Sequence, residues 1–465
     1  MFKIKFGSVN FYKKALSIAI PVMAQLFIQN LVSLIDNFMV AGLGDIKMSG
    51  VNIAGQVNFI FLVLIGNVLC NGGGIFMSQF RGANDKKGMQ QVFRYKLIIC
   101  LFFATLYTVI CRFCPVPILK LMVHGNAQSG DIVLQASMYQ QIIAWTWIPM
   151  VITAAISSSL RETGEVRVPL IISVIATLIN TFGNYVLIYG HFGAPRLEVT
   201  GAAIATVIAR VIEMLTFVVY IYVKKPDFYS KLKDIFKVKI TLAGNILSKT
   251  GMIAISELTW VLSETVSTAL YNSRGGADVV SGMAAGFTIA NLFFVSFSGI
   301  FTATGVIIGT TLGAGKLDEA KKQKDWILNG SFIFGIFFGV IGVLSTFLIP
   351  VVFSNLSSNA RFIARGLVFA AAAYMPIWCY CNGQFAISRT GGDTMMGVIV
   401  DLTANFILFL PGMFIMTYFT NWSPVLMYAI VKVSDIEKVI VASIWLKKEK
   451  WLKNLATENA ISTKE

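Results

Sequence analysis

Charge is scarce in this chain: only 13% of its 465 residues are Asp, Glu, Lys or Arg, against about 25% in ordinary soluble domains. That shortage excludes a soluble enzyme or a nucleic-acid-binding domain. Histidine is almost missing, with only His124 and His191, both in joints between apolar stretches, so no buried imidazole relay is expected. Cysteine is sparse too. Cys70, Cys100, Cys111, Cys114, Cys379 and Cys381 lie in or at the ends of apolar stretches. They lack the second pair and the histidines that a zinc site needs, and read as small buried side chains. The glycine-rich NGGGIFMSQFRGAND (71–85) does not contain the phosphate-cradling pattern GxxxxGK[ST], so no ATP site is expected. No motif for covalent catalysis or for a cofactor is present, and the chain is not expected to be an enzyme.

What is abundant is apolar surface. Hydrophobic residues make up 56% of the chain and the mean hydropathy is +0.73. A membrane-crossing helix needs about 20 apolar residues. Runs of that length lie near 15–40, 51–76, 93–114, 133–159, 168–190, 201–223, 242–272, 279–310, 326–350, 362–388, 395–419 and 424–446. Barrel strands would alternate in polarity over about ten residues; these runs do not. The sequence therefore predicts an all-α polytopic membrane protein with twelve transmembrane helices. The start, with Lys3, Lys5, Lys13 and Lys14, runs directly into a full-length span, so a cleavable signal is not expected.

The net charge of +15 follows from orientation. With both termini inside, 26 Lys and Arg fall on cytoplasmic joints and 7 on the opposite face, the asymmetry of the positive-inside rule. No nucleic-acid partner is needed to explain it. The reading places the protein in the cell (inner) membrane, multi-pass, with both termini cytoplasmic.

The longest charged joint, KKPDFYSKLKDIFKVK (224–239), falls near the middle. A shift of 231 residues lays Gly44, Ala54, Gly55, Gly74, Gly82 and Ala83 on Gly275, Ala285, Gly286, Gly305, Gly313 and Ala314. A shift of 228 lays Arg161, Gly164 and Glu165 on Arg389, Gly392 and Asp393. The expected organisation is an N-lobe (1–223, helices 1–6), a cytoplasmic linker (224–241), a C-lobe (242–446, helices 7–12) and a cytoplasmic tail (447–465). Six spans per half is even, so the two six-helix lobes form a parallel internal repeat about an axis along the membrane normal. That architecture points to alternating access between lobes, with a single chain sufficing as a monomer in the lipid bilayer.

Acids inside spans are the sharpest functional signal, because a charge at the bilayer centre is costly and normally faces a cavity. Asp36, in LVSLIDNFMVAG, is a candidate exchange group for protons or, ionised, a ligand for Na+; the alternative is a helix-end carboxylate near the outer interface. Glu257 and Glu264 are seven residues apart in span 7, with Trp260 between them, and so share a helix face. Either the pair faces a cavity and binds a cation or cationic substrate, or each bonds to a neighbouring helix. Asn180 and Asn184, one turn apart in span 5, either hold water or ions or join helices as amide glue. Arg210 and Glu213 are spaced to pair with each other, and Asp401 is expected at the cytoplasmic interface. Lys432, Glu437 and Lys438 fit no simple ladder. Pro21, Pro149, Pro169, Pro376 and Pro411 interrupt helices and permit bends.

Several of these segments in order resemble the multidrug and toxic compound extrusion (MATE) family, bacterial branch. They are Asp36 after a Pro21-containing span and before GLGD; SQFRGAND (78–85) and GTTLGAGKLDEAKK (309–322); LRETGEVRVP (160–169) and SRTGGDT (388–394); VTGAAIAT (199–206); SELTW (256–260); and KKEKWLKNLAT (447–457). The resemblance covers essentially the whole chain. It implies a secondary-active antiporter that exports cationic or amphipathic organic compounds in exchange for H+ or Na+. It also implies an N-lobe cation site of Asp36, Asn180, Asn184 and Thr206, with Glu257, Trp260 and Glu264 as a substrate or auxiliary cation site. Sodium-coupled members carry an Asp in helix 10 about ten residues before the LRxxGD-like turn, where PIWCYCNGQFAISRTGGDT (376–394) has Trp378 and no acid before Asp393. The alternatives are a flippase for a lipid-linked saccharide, or a polytopic membrane enzyme or receptor.

Overall fold

The computed structural model describes residues 5–122 and 129–461; His124 lies outside the described residues. Helices account for nearly all of that chain, and no strand occurs among the described residues. The twelve expected spans are all helical. They are α1 (Val9–Ala41); α2 (Asp45–Leu62, a wide π turn Val63–Cys70, then Asn71–Gly82); α3 (Lys86–Phe113); and α4 (Ser129–Ile143, a 3-10 turn Ala144–Thr146, then Trp147–Glu162). There follow α5 (Arg167–Tyr189), α6 (Glu198–Lys224), α7 (Ile240–Asn272), α8 (Ala277–Gly313), α9 (Leu317–Ser345) and α10 (Ser358–Thr390). The last are α11 (Met395–Leu402, a π turn Thr403–Phe409, then Leu410–Phe419) and α12 (Pro424–Val431 and Ser434–Lys447). Among the described residues nine helices are long and apolar enough to cross a membrane. The three other stretches are α2, α7 and α12.

Helix ends depart from the hydropathy limits for local reasons. The ninth span, expected to reach 350, stops at Ser345, and a separate short helix, Ile349–Val352, begins around Pro350, where the missing N–H is tolerated in a first turn. Pro169 likewise sits in the first turn of α5, and Pro149 just after the 3-10 turn of α4. Pro411 follows the π turn of α11, whose extra residue absorbs a lost hydrogen bond. Pro21 and Pro376 lie inside continuous helices.

The described chain forms two compact units. One comprises Ala24–Arg81 and Asp85–Thr250, and the other contains the remaining described residues. The chain passes from one unit to the other within α1, just after Pro21, and again within α7, between Thr250 and Gly251.

The duplication is visible in the turns. Asp85 N–H donates to Phe80 C=O at 2.9 Å, and Lys316 N–H to Thr311 C=O at 3.1 Å. Glu165 N–H donates to Leu160 C=O at 2.8 Å, and Asp393 N–H to Ser388 C=O at 3.0 Å. These six-residue closures need a left-handed residue, supplied by Gly164 (φ 87°) and Gly392 (φ 79°) in the second pair. After α6 and after α12 an aromatic folds back to full burial, Phe228 and Trp451. Between α6 and α7, the Lys237 ammonium beside Asp234 holds that carboxyl below its ordinary range.

Close backbone approach explains the glycine-rich segment. A Cβ at Gly72 would lie 2.1 Å from Thr250 Oγ1, one at Gly73 2.7 Å from Lys96 Cε, and one at Gly74 2.1 Å from Glu162 Oε1. The motif seats a neighbouring helix and a buried ion pair. In the other unit, Gly335 and Gly339 of α9 meet the α10 backbone at Pro376 and Ala372, the small-residue seam that lets membrane helices pack closely. Its core centres on Leu367, Met375, Met413 and Met427.

Candidate functional site

Two polar clusters lie inside the helical bundle, one in each unit. In the first, α1 brings Asp36 against α5 and α6. The Asn180 amide lies 2.9 Å from Asp36 Oδ2 and 3.1 Å from Thr206 Oγ1. With its nitrogen toward the carboxyl, it donates to Asp36 and accepts from the Thr206 hydroxyl. With its oxygen there, its nitrogen donates to Thr206 Oγ1, whose proton goes to the Ala202 carbonyl at 2.9 Å. Asn184, buried one turn on, reaches the same carboxyl group. Asp36 Oδ1 is buried without a hydrogen bond. The four residues expected to form one site are therefore together.

A second rung crosses the same three helices toward the other end. Gln25 Nε2 donates to Ser173 Oγ at 2.9 Å, Ser173 Oγ to Glu213 Oε1 at 2.8 Å, and Arg210 to Glu213 Oε2 at 2.7 Å. Ser173 is seven residues before Asn180, and Glu213 seven after Thr206; on antiparallel neighbours this sets the rungs about 10 Å apart. Arg210 lies between the rungs, close enough for its charge to act on Asp36. The expected pairing of Arg210 with Glu213 is present, and Ser173 and Gln25 are members that sequence reasoning missed.

The other unit carries a chain of charges. Glu257 Oε1 accepts from Arg389 at 2.9 Å, and the guanidinium also reaches Ser256 Oγ at 3.3 Å. Ser256 Oγ donates to Asp401. Lys438 Nζ is 3.5 Å from both Asp401 and Asp435. Asp435 also accepts from the Trp378 indole N–H at 2.8 Å. Lys432 Nζ donates to Glu264, and Thr403 Oγ1 to Glu437 at 3.3 Å. Glu257 and Glu264 share a helix face, but each carries its own cation, so the pair behaves as the interhelical alternative described. Trp260 stands outside this network, its side chain 43% exposed. Asp401, expected at the interface, is buried, because Ser256 and Lys438 satisfy it. Lys432 is explained by Glu264 on α7, and Lys438 by Asp401 on α11 together with Asp435 one turn earlier on α12. Trp378 reaches Asp435 on α12.

Lys432 has further neighbours. Its ammonium is 4.7 Å from the Phe409 ring centre, 5.6 Å from Tyr428 and 5.9 Å from Trp378. Three faces and a carboxylate thus surround one cation at membrane depth. The cysteines are buried apart from Cys114, in keeping with a packing role. No cluster of metal-ligating side chains occurs among the described residues.

The family profile MatE matches residues 21–186 and 253–415, two blocks separated like the internal repeat. A probable multidrug resistance protein NorM of Thermotoga maritima is 25% identical over 344 residues, covering 71% of this chain and 69% of the relative. The probable NorM of Oceanobacillus iheyensis is 24% identical over 423 residues, covering 88% and 90%. Among solved structures, MATE in the straight conformation superposes with a TM-score of 0.83 at 18% identity, covering 94% of this chain and 96% of that one. MATE in the bent conformation gives 0.81 at 18%, covering 96% and 97%. With both blocks of the profile matched across most of its length, a twelve-helix fold and charged clusters inside the membrane, the chain belongs to the MATE family of multidrug and toxic compound efflux transporters, membrane proteins that are not enzymes.

Proposed function

We propose that this chain is an antiporter that exports cationic or amphipathic organic compounds in exchange for H+ or Na+, by alternating access between its two lobes. It works in the cell membrane as a monomer, without ATP or a cofactor, with both termini cytoplasmic. The observation that carries the reading is the state of Asp36: one carboxylate oxygen is held by Asn180 and the other is buried without a partner. A buried unpartnered anionic oxygen is costly, and a bound proton or cation removes that cost. The two orientations of Asn180 match the two states. An ionised Asp36 takes the amide nitrogen and leaves the amide oxygen for Thr206; a protonated Asp36 donates to the amide oxygen and sends the amide nitrogen to Thr206. Exchange at Asp36 is thereby transmitted to α5 and α6, with the Asn180–Thr206 contact kept in both states.

A ligand shifts a conformational equilibrium only by its differential affinity for the two states. Proton or sodium binding that changes the charge at Asp36 supplies such a difference, and outward release of the organic cation follows from it. The test is ethidium efflux from proteoliposomes with a proton or a sodium gradient imposed separately, for wild type and Asp36→Asn. Efflux driven by one gradient and lost in the variant is expected. Full efflux by Asp36→Asn would overturn the role of Asp36, and no efflux under either gradient would turn the reading toward lipid flipping.

A further inference from the structure

A lysine near the middle of a membrane helix needs a reason. Lys432 has an acid, Glu264, and that pair alone would satisfy it. The three aromatic faces around its ammonium, Trp378, Phe409 and Tyr428, are more than an ion pair requires. Aromatic faces with a carboxylate are the chemistry that recognises alkylammonium groups.

The walls of this cage are held by partners other than Lys432. The Trp378 indole donates to Asp435, and its ring stacks on Tyr374 with centres 5.7 Å apart. Tyr428 packs against Tyr271 and Phe287, and Phe409 is buried in the core of its unit. The cage therefore keeps its shape when the lysine withdraws. Lys432 is on a flexible four-carbon stem, and Asp435, which also takes Lys438 and the Trp378 indole, acts on its charge from the next turn of α12, so a second acid stands beside it. The ion pair is open on the carboxylate's side: Glu264 is 27% exposed and Lys432 10%. Glu264, Asp435, Asp401 and Glu437 lie about Lys432 and Lys438, so the acids outnumber the cations there.

We propose that Glu264, Trp378, Phe409 and Tyr428 form a binding site for the ammonium group of an organic cation, with Lys432 as its built-in occupant. An arriving cation takes Glu264 and the rings while Lys432 turns to Asp435. When the cation leaves, Lys432 returns, so the emptied lobe carries no uncompensated carboxylate. The proposal rests on the export reading for its class of substrate.

The experiment is equilibrium binding of ethidium, by fluorescence anisotropy, to the purified full-length protein and to variants that match it in size-exclusion profile. Lys432→Met removes the competitor, and affinity is expected to rise about tenfold or more; Glu264→Gln removes the anchor, and affinity is expected to fall by about as much. Should Lys432→Met fail to fold, Glu264→Gln and Trp378→Leu carry the test, both with weaker binding expected. Wild-type binding that the folded variants leave unchanged would overturn the cage and leave the export reading standing. Absence of ethidium binding by wild type and every variant would overturn both.

Discussion

Gly391 and Trp451 meet backbone to backbone: a Cβ on Gly391 would lie 1.7 Å from the Trp451 carbonyl oxygen. The contact fastens the segment after α12 beneath the turn that follows α10. Trp451 and Leu455 are buried there, and Asn454 donates to the Gly313 carbonyl at 3.3 Å.

Gly391→Ala should therefore push the tail out of its seat, because backbone cannot yield as a side-chain tip can. Overpacking of this kind costs about 1–3 kcal/mol. The expected result is a lower melting temperature and faster tryptic cleavage between Lys447 and Lys453. Gly244→Ala, which meets nothing within 4 Å, is the control and should behave as wild type. Equal protease resistance of both variants would show that the tail is not fastened at this point.

The buried pair Lys96–Glu162 makes a second prediction. Nζ lies 2.5 Å from Oε2, with the lysine side chain fully buried and the glutamate 16% exposed. Removing one charge strands the other, at about 3–5 kcal/mol, whereas replacing both with apolar residues is often near neutral. Lys96→Met and Glu162→Gln should each lower thermal stability strongly, and the Lys96→Met/Glu162→Leu double variant should recover most of the loss. Additive losses in the double variant would sink this account.

Arg389 links Glu257 to Ser256 and lies over the rings of Phe301 and Phe385, 5.4 and 5.7 Å from their centres. A planar guanidinium makes those contacts together, and an ammonium does not. Arg389→Lys should behave as a loss of about 1–3 kcal/mol despite conserving charge, read as a drop in melting temperature. Retention of wild-type stability would mean that charge alone matters at this position.

How much of this was legible beforehand follows from the kind of signal each feature leaves. Span existence is written in runs of about 20 apolar residues, so all twelve helices were readable. The duplication showed because left-handed turns need glycine, as at Gly164 and Gly392. Asp36 stood out because an acid inside a span is costly. Its partners Asn180, Asn184 and Thr206 came through the family resemblance, since amides and hydroxyls are common in membrane helices. Arg389 is legible only as the repeat counterpart of Arg161, and nothing in its local sequence names Glu257, 132 residues away. Lys432 had no legible partner for the same reason: its acid lies on α7 and its rings on α10, α11 and its own helix. Pairing between distant helices is a property of packing, and local spacing does not encode it.

Glu213 yields the last prediction, through charge. It is 2% exposed and holds the Arg210 guanidinium at 2.7 Å, so two carboxylates, Asp36 and Glu213, share one fixed cation. The site is left one positive charge short. Glu213→Gln removes the competing carboxylate and gives the whole guanidinium field to Asp36. An ionised Asp36 stabilised in this way holds an exchange cation less tightly. A gain of about 1.4 kcal/mol for the ionised form is a factor of ten, modest for charges at this spacing in a low-dielectric interior. Half-maximal efflux should then require about ten times more external coupling cation, with the maximal rate little changed. Arg210→Gln should act in the opposite direction, lowering the cation concentration required. Both are read from ethidium efflux in proteoliposomes titrated with the coupling ion. Shifts of the same sign in the two variants would mean that Arg210 does not divide its charge between the two acids.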